Sequence, residues 1–165
     1  MWVGRERLIC QKPIKRAMRR GLDALLSPGS VAVVGASANA TKIGNVVLRS
    51  LSKGSYRIFP VNPKEKEILG FKCYESVSSI PEAVDLAIIV LPAETAVKAA
   101  AECVTKGVGV VIVTSSGFSE NGPAGRALQD RLASFFEGSD TRLLGPNTMG
   151  VLVPAHGLDT LLIPA

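Results

Sequence analysis

A three-layer α/β fold on a mainly parallel sheet of five or more strands is what this 165-residue sequence predicts. Runs of Val, Ile and Leu recur that are short enough for strands yet apolar throughout, the pattern of strands covered on both faces. Between them lie segments with apolar residues spaced near the 3.6-residue helical period. Gly, Pro and Asn punctuate the changes. Strand, helix, strand in repetition implies right-handed crossovers, which place helices on both faces of one sheet.

Taken in order, residues 22–26 form a helical turn stopped by Ser27-Pro28-Gly29. Residues 31–34 are a continuous β-branched and Ala run ending at Gly35, a strand buried on both faces. Residues 42–53 carry Ile43, Val46, Val47, Leu48 and Leu51 at near-helical spacing, with Gly54 as the stop. Residues 56–61 are a second strand, closed by Asn62-Pro63, and residues 68–73 a short extended piece. Residues 85–91 are a third strand closed by Pro92, and residues 93–106 a helix with Gly107 at its C-terminal stop. Residues 108–114 are a fourth strand. Residues 123–136 are a helix with Pro123 in its first turn and Asn121 as its cap, and residues 141–144 a fifth strand ending at Gly145-Pro146. Residues 151–165 do not read as a regular element. The sum is a Rossmann-like domain at 22–158, between a basic N-terminal extension at 1–21 and a C-terminal tail at 159–165.

Composition narrows the function. The hydrophobic share of 47% is too high for disorder. No apolar run approaches the roughly 20 residues of a membrane helix. Residues 1–20 hold seven basic side chains (Arg5, Arg7, Lys12, Lys15, Arg16, Arg19, Arg20) against Glu6, so of the net +5 the other 145 residues carry −1. The basicity belongs to the extension, and a folded body without it lacks the electrostatic footprint of a nucleic-acid binder. Cys10, Cys73 and Cys103 have neither disulfide-framework nor zinc spacing, which places the chain in a reducing compartment, the cytoplasm.

In open α/β sheets ligands bind beyond the carboxyl ends of the strands. The five loops there are rich in small and hydrogen-bonding residues, which suits a long ligand lying across the edge. After the first strand, Gly35 permits a tight turn into a helix whose N-terminus can hold a phosphate. The dinucleotide fingerprint is incomplete, because Ser37 occupies the place of its second glycine. After the second strand, where NAD enzymes carry an acid for the ribose, Asn62-Pro63-Lys64 suits a phosphate on the ribose instead, as in NADP or coenzyme A.

Val33-Val34-Gly35-Ala36-Ser37, the segment 60–64, the run 84–90, Ser116-Gly117-Phe118-Ser119-Glu120 and Gly145-Pro146-Asn147 occur together in this order. In that combination the chain resembles, over about residues 22–158, the CoA-binding domain of NDP-forming acyl-CoA synthetases. These are the ADP-forming acetyl-CoA synthetases of α-subunit type, related to the succinyl-CoA synthetase α subunit. The resemblance implies a first loop that cradles CoA phosphates at Ser37, Ala38, Asn39 and Ala40, with Lys42 close by. It implies a nucleotide-end contact at Asn62, Pro63 and Lys64, an adenine-side contact at Leu91 and Pro92, a pantetheine contact at Thr114, Ser115 and Ser116, and a thiol-end loop at Gly145, Pro146 and Asn147. Thr148 follows where many members carry cysteine, so no thiol chemistry is assigned.

In the complete enzymes the resemblance implies conversion of acyl-CoA, ADP and phosphate to acid, ATP and CoA. That chemistry uses a phosphorylated histidine on a second domain and an ATP-grasp partner. The one histidine here, His156, matches no catalytic position, and no carboxylate pair is placed for acid–base work. The expectation is a chain that binds CoA or acyl-CoA but does not turn it over alone, with no catalytic residue and no metal. A histidine-bearing ligase domain and an ATP-grasp subunit are its implied partners. Two other readings stand beside it. One is a stand-alone CoA-responsive regulator. The other is an NADP-binding oxidoreductase domain, against which the incomplete fingerprint and the lack of a catalytic Tyr/Lys or His/Asp pair both count.

Overall fold

A computed structural model describes residues 21–163. Residues 1–20 with their basic cluster and Cys10 lie outside the described residues, as do the last two of the tail.

Five strands form the central sheet, all parallel: β1 (Ser30–Val34), β2 (Arg57–Val61), β5 (Leu86–Ile89), β6 (Val110–Val113) and β7 (Arg142–Leu144). Their spatial order is β2-β1-β5-β6-β7, so the chain builds outward from β1 in one direction and then in the other. The order reverses between β1 and β5, and the carboxyl end of that gap is where an open α/β sheet opens a crevice. Register aligns the ends, with Val34 beside Val61 and Ile89, and Ile89 beside Val113.

Side chains alternate along each strand between two cores. Ala32, Val34, Ala87, Ile89, Val111 and Val113 face helix α3 (Ala93–Lys106) and helix α4 (Gly122–Ser134), which add Ala96, Val97, Ala100, Cys103 and Leu132. Val31, Val33, Leu86, Ile88, Val110 and Ile112 face helices α1 (Gly21–Leu26) and α2 (Ile43–Leu51), with Val47, Leu48 and Leu51. Both faces are covered, which is why these strands are apolar throughout rather than alternating. At the opposite end, the Ser30 hydroxyl donates to the Ala83 carbonyl and accepts the Asp85 N–H, and Asp85 accepts the Gly29 N–H at 2.7 Å. No helix among the described residues is long and apolar enough to cross a membrane.

Three local details differ from the expectations. Residues 68–73 are not one extended piece. Strands β3 (Glu67–Ile68) and β4 (Phe71–Lys72) pair antiparallel around Leu69 and Gly70, both at positive φ. A leucine at the first turn position carries none of the usual Asn-Gly signal. Residues 151–163 also hold a small hairpin, β8 (Leu152–Val153) and β9 (Leu158–Asp159), joined by a 3-10 turn over Pro154–His156. Two-residue strands are too short for alternation to reveal. Asn121 precedes α4 but makes no side-chain capping bond. Its backbone (φ −92°, ψ 21°) ends a 3-10 turn over Ser119–Asn121, outside the extended conformation a capping side chain needs.

Helix α2 sits unusually close to the turn leaving β1. A Cβ at Gly44 would lie 2.1 Å from the Gly35 carbonyl oxygen. Alanine is the better helix former by up to about 1 kcal/mol. The close approach to backbone outweighs that gain, because overpacking costs about 1–3 kcal/mol. Gly44→Ala is therefore expected to lower the urea midpoint with the slope unchanged, and a raised midpoint would show that α2 can move away from the turn at little cost.

Candidate functional site

The loops leaving all five sheet strands meet at the carboxyl edge, and backbone bonds order them. Gly35 N–H donates to the Val61 carbonyl at 3.0 Å, Val90 N–H to Val34 at 2.9 Å, and Thr114 N–H to Ile89 at 3.2 Å. Asn147 N–H donates to the Ser115 carbonyl at 2.9 Å, and the Ser115 hydroxyl donates to the Leu91 carbonyl. Gly35 (φ +94°) lies against the third loop, where a Cβ would meet the Val90 carbonyl oxygen at 2.8 Å and Leu91 Cδ2 at 2.9 Å. Gly35, Lys64 and Asn147 thus follow strand ends on one edge, as the sequence predicts.

The first loop is held by its own polar side chains. Ser37 Oγ accepts the Asn39 N–H at 3.1 Å, and Asn39 Oδ1 accepts both the Thr41 N–H and the Thr41 hydroxyl. Beneath them Asn45, fully buried, donates through Nδ2 to the Ser37 carbonyl at 2.8 Å and accepts Arg49 Nε–H at 2.7 Å. Ala38, Asn39, Ala40 and Lys42 are exposed, and Lys42 precedes α2 without a side-chain capping bond, so its charge stands beside the helix N-terminus. Asn62 also works inward: its Nδ2 donates to the Ala36 carbonyl at 2.8 Å and its Oδ1 accepts the Lys64 N–H at 2.9 Å. Pro63 and Lys64 point the turn outward, both exposed.

Two clefts open along this edge, and Leu91 lines both. The first, about 340 Å³, lies between the first two strand ends and α3, with Gly35, Asn62 and Pro63 on one wall and Thr95, Lys98, Ala99 and Glu102 of α3 on the other. Glu75 and Ser76 close it, and Glu102 accepts the Ser78 N–H at 2.7 Å. The second, about 420 Å³, lies over β5, β6 and β7 and is lined by Leu91, Pro92, Thr114, Ser115, Ser116, Asn147, Ile43, Val90, Thr148, Met149 and Leu162; Pro92, expected on the adenine side, thus shares a cleft with Thr114, Ser115 and Ser116 and not with Asn62 and Pro63. Ser37, Ala38, Asn39, Ala40, Lys42 and Lys64 line neither cleft; the first loop runs from Gly35 of the first cleft to Ile43 of the second, with Lys42 next to Ile43, and Lys64 follows Pro63 of the first.

The α3 wall was legible in principle, since Thr95, Lys98 and Glu102 form a polar stripe at helical spacing on the face away from the buried Val97, Ala100 and Cys103. Nothing in the sequence marks Glu75, Ser76 or Leu162.

Charge divides the edge. Lys98, Glu75 and Glu102 line the first cleft and Lys42 and Lys64 stand on adjacent loops, whereas no residue lining the second is titratable. Coenzyme A pairs an anionic nucleotide end with an uncharged pantetheine arm; the exposed Lys42 and Lys64 on the loops beside the clefts suit the first and the second cleft's untitratable lining suits the other, while the first cleft itself is lined by one cation and two carboxylates. Among the described residues no group of three or more His, Cys, Asp or Glu could hold a metal ion. Cys73 and Cys103 are buried free thiols, and burial pushes the Cys103 thiol up to about 12. His156 lies exposed on the 3-10 turn between β8 and β9.

With this geometry in place, comparison with known proteins is specific. The CoA binding domain family matches residues 29–154. The acetate–CoA ligase (ADP-forming) I of Archaeoglobus fulgidus is 45% identical over 131 residues, covering 79% of this chain and 19% of its own length. The alpha subunit of the corresponding Pyrococcus furiosus ligase I is 45% identical over 149 residues, covering 87% of this chain and 32% of its own. The dinucleotide-forming acetyl-coenzyme A synthetase 1 of Candidatus Korarchaeum cryptofilum, solved with phosphate and ADP, superposes with a TM-score of 0.81 at 35% identity, over 87% of this chain and 31% of that one. The chain spans a fifth to a third of these relatives.

The turn after β6 supplies a pH-dependent contact. The Gly117 N–H donates to Glu120 Oε1 at 2.6 Å and the Phe118 N–H at 3.2 Å. Backbone amides of Gly117, of Glu120 itself and of Phe118 hold this carboxyl below its ordinary 4.5. Its contribution is therefore complete above the ordinary value and is lost as pH falls through the lowered one. In melts from pH 7 to pH 3, the Tm gap between the native chain and Glu120→Gln is expected to narrow with acid, and a gap independent of pH would remove the carboxylate from this role.

Proposed function

Because this chain belongs to the CoA binding domain family, we propose that it is the CoA-binding part of an ADP-forming acyl-CoA synthetase and serves that enzyme by holding CoA or acyl-CoA across the sheet edge. The observation that carries the reading is the pair of clefts that share Leu91 along the carboxyl edge, the second with no titratable residue in its lining. In this reading the phosphates lie at the first loop, Ser37 to Ala40, with Lys42. The nucleotide lies against Asn62, Pro63, Lys64 and Leu91, and the pantetheine arm runs along Pro92, Thr114, Ser115 and Ser116 toward Asn147. Asn62 acts by positioning, since both polar atoms of its side chain already hold the loop. The CoA-binding unit is 22–158, and Thr160 N–H and Leu162 N–H continue its bonding to Val151 and Met149. Two buried free thiols support a reducing compartment, the cytoplasm.

Turnover requires parts beyond these residues, a histidine-bearing ligase domain and an ATP-grasp subunit. A nucleophilic histidine has to be oriented by a neighbouring group within hydrogen-bond reach. His156 stands exposed between Ala155 and Gly157 on a one-turn segment. The chain alone, incubated with acetate, ATP, magnesium and CoA, is expected to form no acetyl-CoA and no protein-bound phosphate. Turnover abolished by His156→Ala would make it a minimal enzyme instead.

Calorimetric titration tests the binding itself. CoA is expected to bind more tightly than dephospho-CoA or NADP. Lys64→Ala is expected to weaken CoA about tenfold, the low end for a charge-assisted contact at an exposed site, and to leave dephospho-CoA nearly unchanged. Equal losses for the two ligands would take the 3′-phosphate away from Lys64.

A further inference from the structure

The first loop takes its shape in part from a side chain that lines neither cleft. Three consecutive carbonyls, those of Ala36, Ser37 and Ala38, accept from side-chain amides. Asn62 Nδ2 donates to Ala36 at 2.8 Å, and Asn45 Nδ2 donates to Ser37 at 2.8 Å and to Ala38 at 3.3 Å. A carbonyl oxygen is the negative end of the peptide dipole, and one facing a phosphate would repel it. In a trans peptide the N–H points opposite to its C=O, so carbonyls drawn inward turn the N–H side of the loop outward, where an anion would lie. Asn45 can hold its two carbonyls only with its nitrogen toward the loop and its oxygen toward a donor. The side chain is fully buried, and a buried acceptor left unmatched is costly.

That donor is Arg49. It stands one helical turn along α2 from Asn45, on the same face, and its Nε–H donates to Asn45 Oδ1 at 2.7 Å. A guanidinium carries donors and no acceptor, so it is compatible with one setting of the amide, oxygen toward Arg49 and nitrogen toward the loop. Arg49 is exposed and lines neither cleft. We infer that Arg49 is a positioning residue for the phosphates of CoA, acting through Asn45 to hold the Ser37 and Ala38 carbonyls away from them. This role rests on the phosphates lying at the first loop, as proposed above. The working part of the arginine is then its donor and not its positive charge, which sets it apart from Lys64.

The test is titration of the full chain, native, Arg49→Met and Arg49→Gln, with CoA and with dephospho-CoA. The position is exposed and both replacements are good helix formers, so α2 is kept. Methionine removes the donor. Both ligands carry the pyrophosphate, so both are expected to weaken about fivefold, the worth of one net hydrogen bond. Glutamine keeps an amide donor without the charge and is expected to recover most of that affinity. With Asn45→Ala already in place, Arg49→Met is expected to cost nothing further. Amide hydrogen exchange at Asn39 and Thr41, whose N–H groups are bonded within the loop, needs no ligand. It is expected to quicken in Arg49→Met and not in Arg49→Gln. Glutamine as weak as methionine, or a larger loss for CoA than for dephospho-CoA, would make Arg49 a charge and overturn the relay. Native affinity and native exchange in Arg49→Met would overturn it as well and leave the CoA site standing. A native chain that binds neither ligand would remove the CoA site, and this role for Arg49 with it, whatever the exchange shows.

Discussion

At Gly44 the backbone of α2 comes so near the Gly35 carbonyl that a single methyl group would stand 2.1 Å from the oxygen. Gly35 in turn lies against Val90 and Leu91, across the point where strand order reverses. One close-packed line therefore runs from the helix through the first turn to the third loop. The first cleft, the second cleft and the α2 N-terminus all take their positions from it. Interiors packed this densely transmit a displacement instead of absorbing it. The edge is built on backbone contact first, and its side chains are added to a frame already fixed.

The polar groups on that frame divide into two kinds. Asn45, Asn62, Ser37 and Asn39 spend their hydrogen bonds inside the protein, tying one loop to another. Lys42, Lys64, Ser116 and Asn147 are exposed, whereas the Thr114 and Ser115 hydroxyls are bonded to the Ile89 and Leu91 carbonyls. A ligand that stretches across several strands needs both, because a loop that must order itself on binding gives up affinity in doing so. Internal bonding before the ligand arrives removes that cost.

Much of this was legible in sequence. The five apolar runs placed the strands because burial on both faces suppresses alternation, and Gly107 marked the end of α3 through its left-handed backbone. The loops after those runs placed Gly35, Asn62, Leu91, Ser115 and Asn147 on one edge. What the sequence hid was tertiary. Lys98 and Glu102 enter the first cleft because α3, packed on β5 and β6, brings that face opposite Val34 and Val61 at the β1 and β2 ends, and Leu162 enters the second because the terminal hairpin packs on α2. The hairpins themselves escaped because two-residue strands have no period. Asn121 looked like a cap by residue type, but its backbone was already committed to a 3-10 turn.

The Asn62 amide bears on how the fold could change its ligand. Its donor group lies 2.8 Å from the Ala36 carbonyl and its acceptor 2.9 Å from the Lys64 nitrogen, so the position demands one donor and one acceptor on the same planar group. Related nucleotide-binding sheets carry a carboxylate near the end of this strand to take a ribose. A carboxylate at 62 would keep the bond to Lys64 and set a second acceptor against Ala36, unlatching the second turn from the first. A route from this site to a ribose-gripping one passes through a broken loop before any new contact forms, so it needs a compensating change at the first turn in the same step.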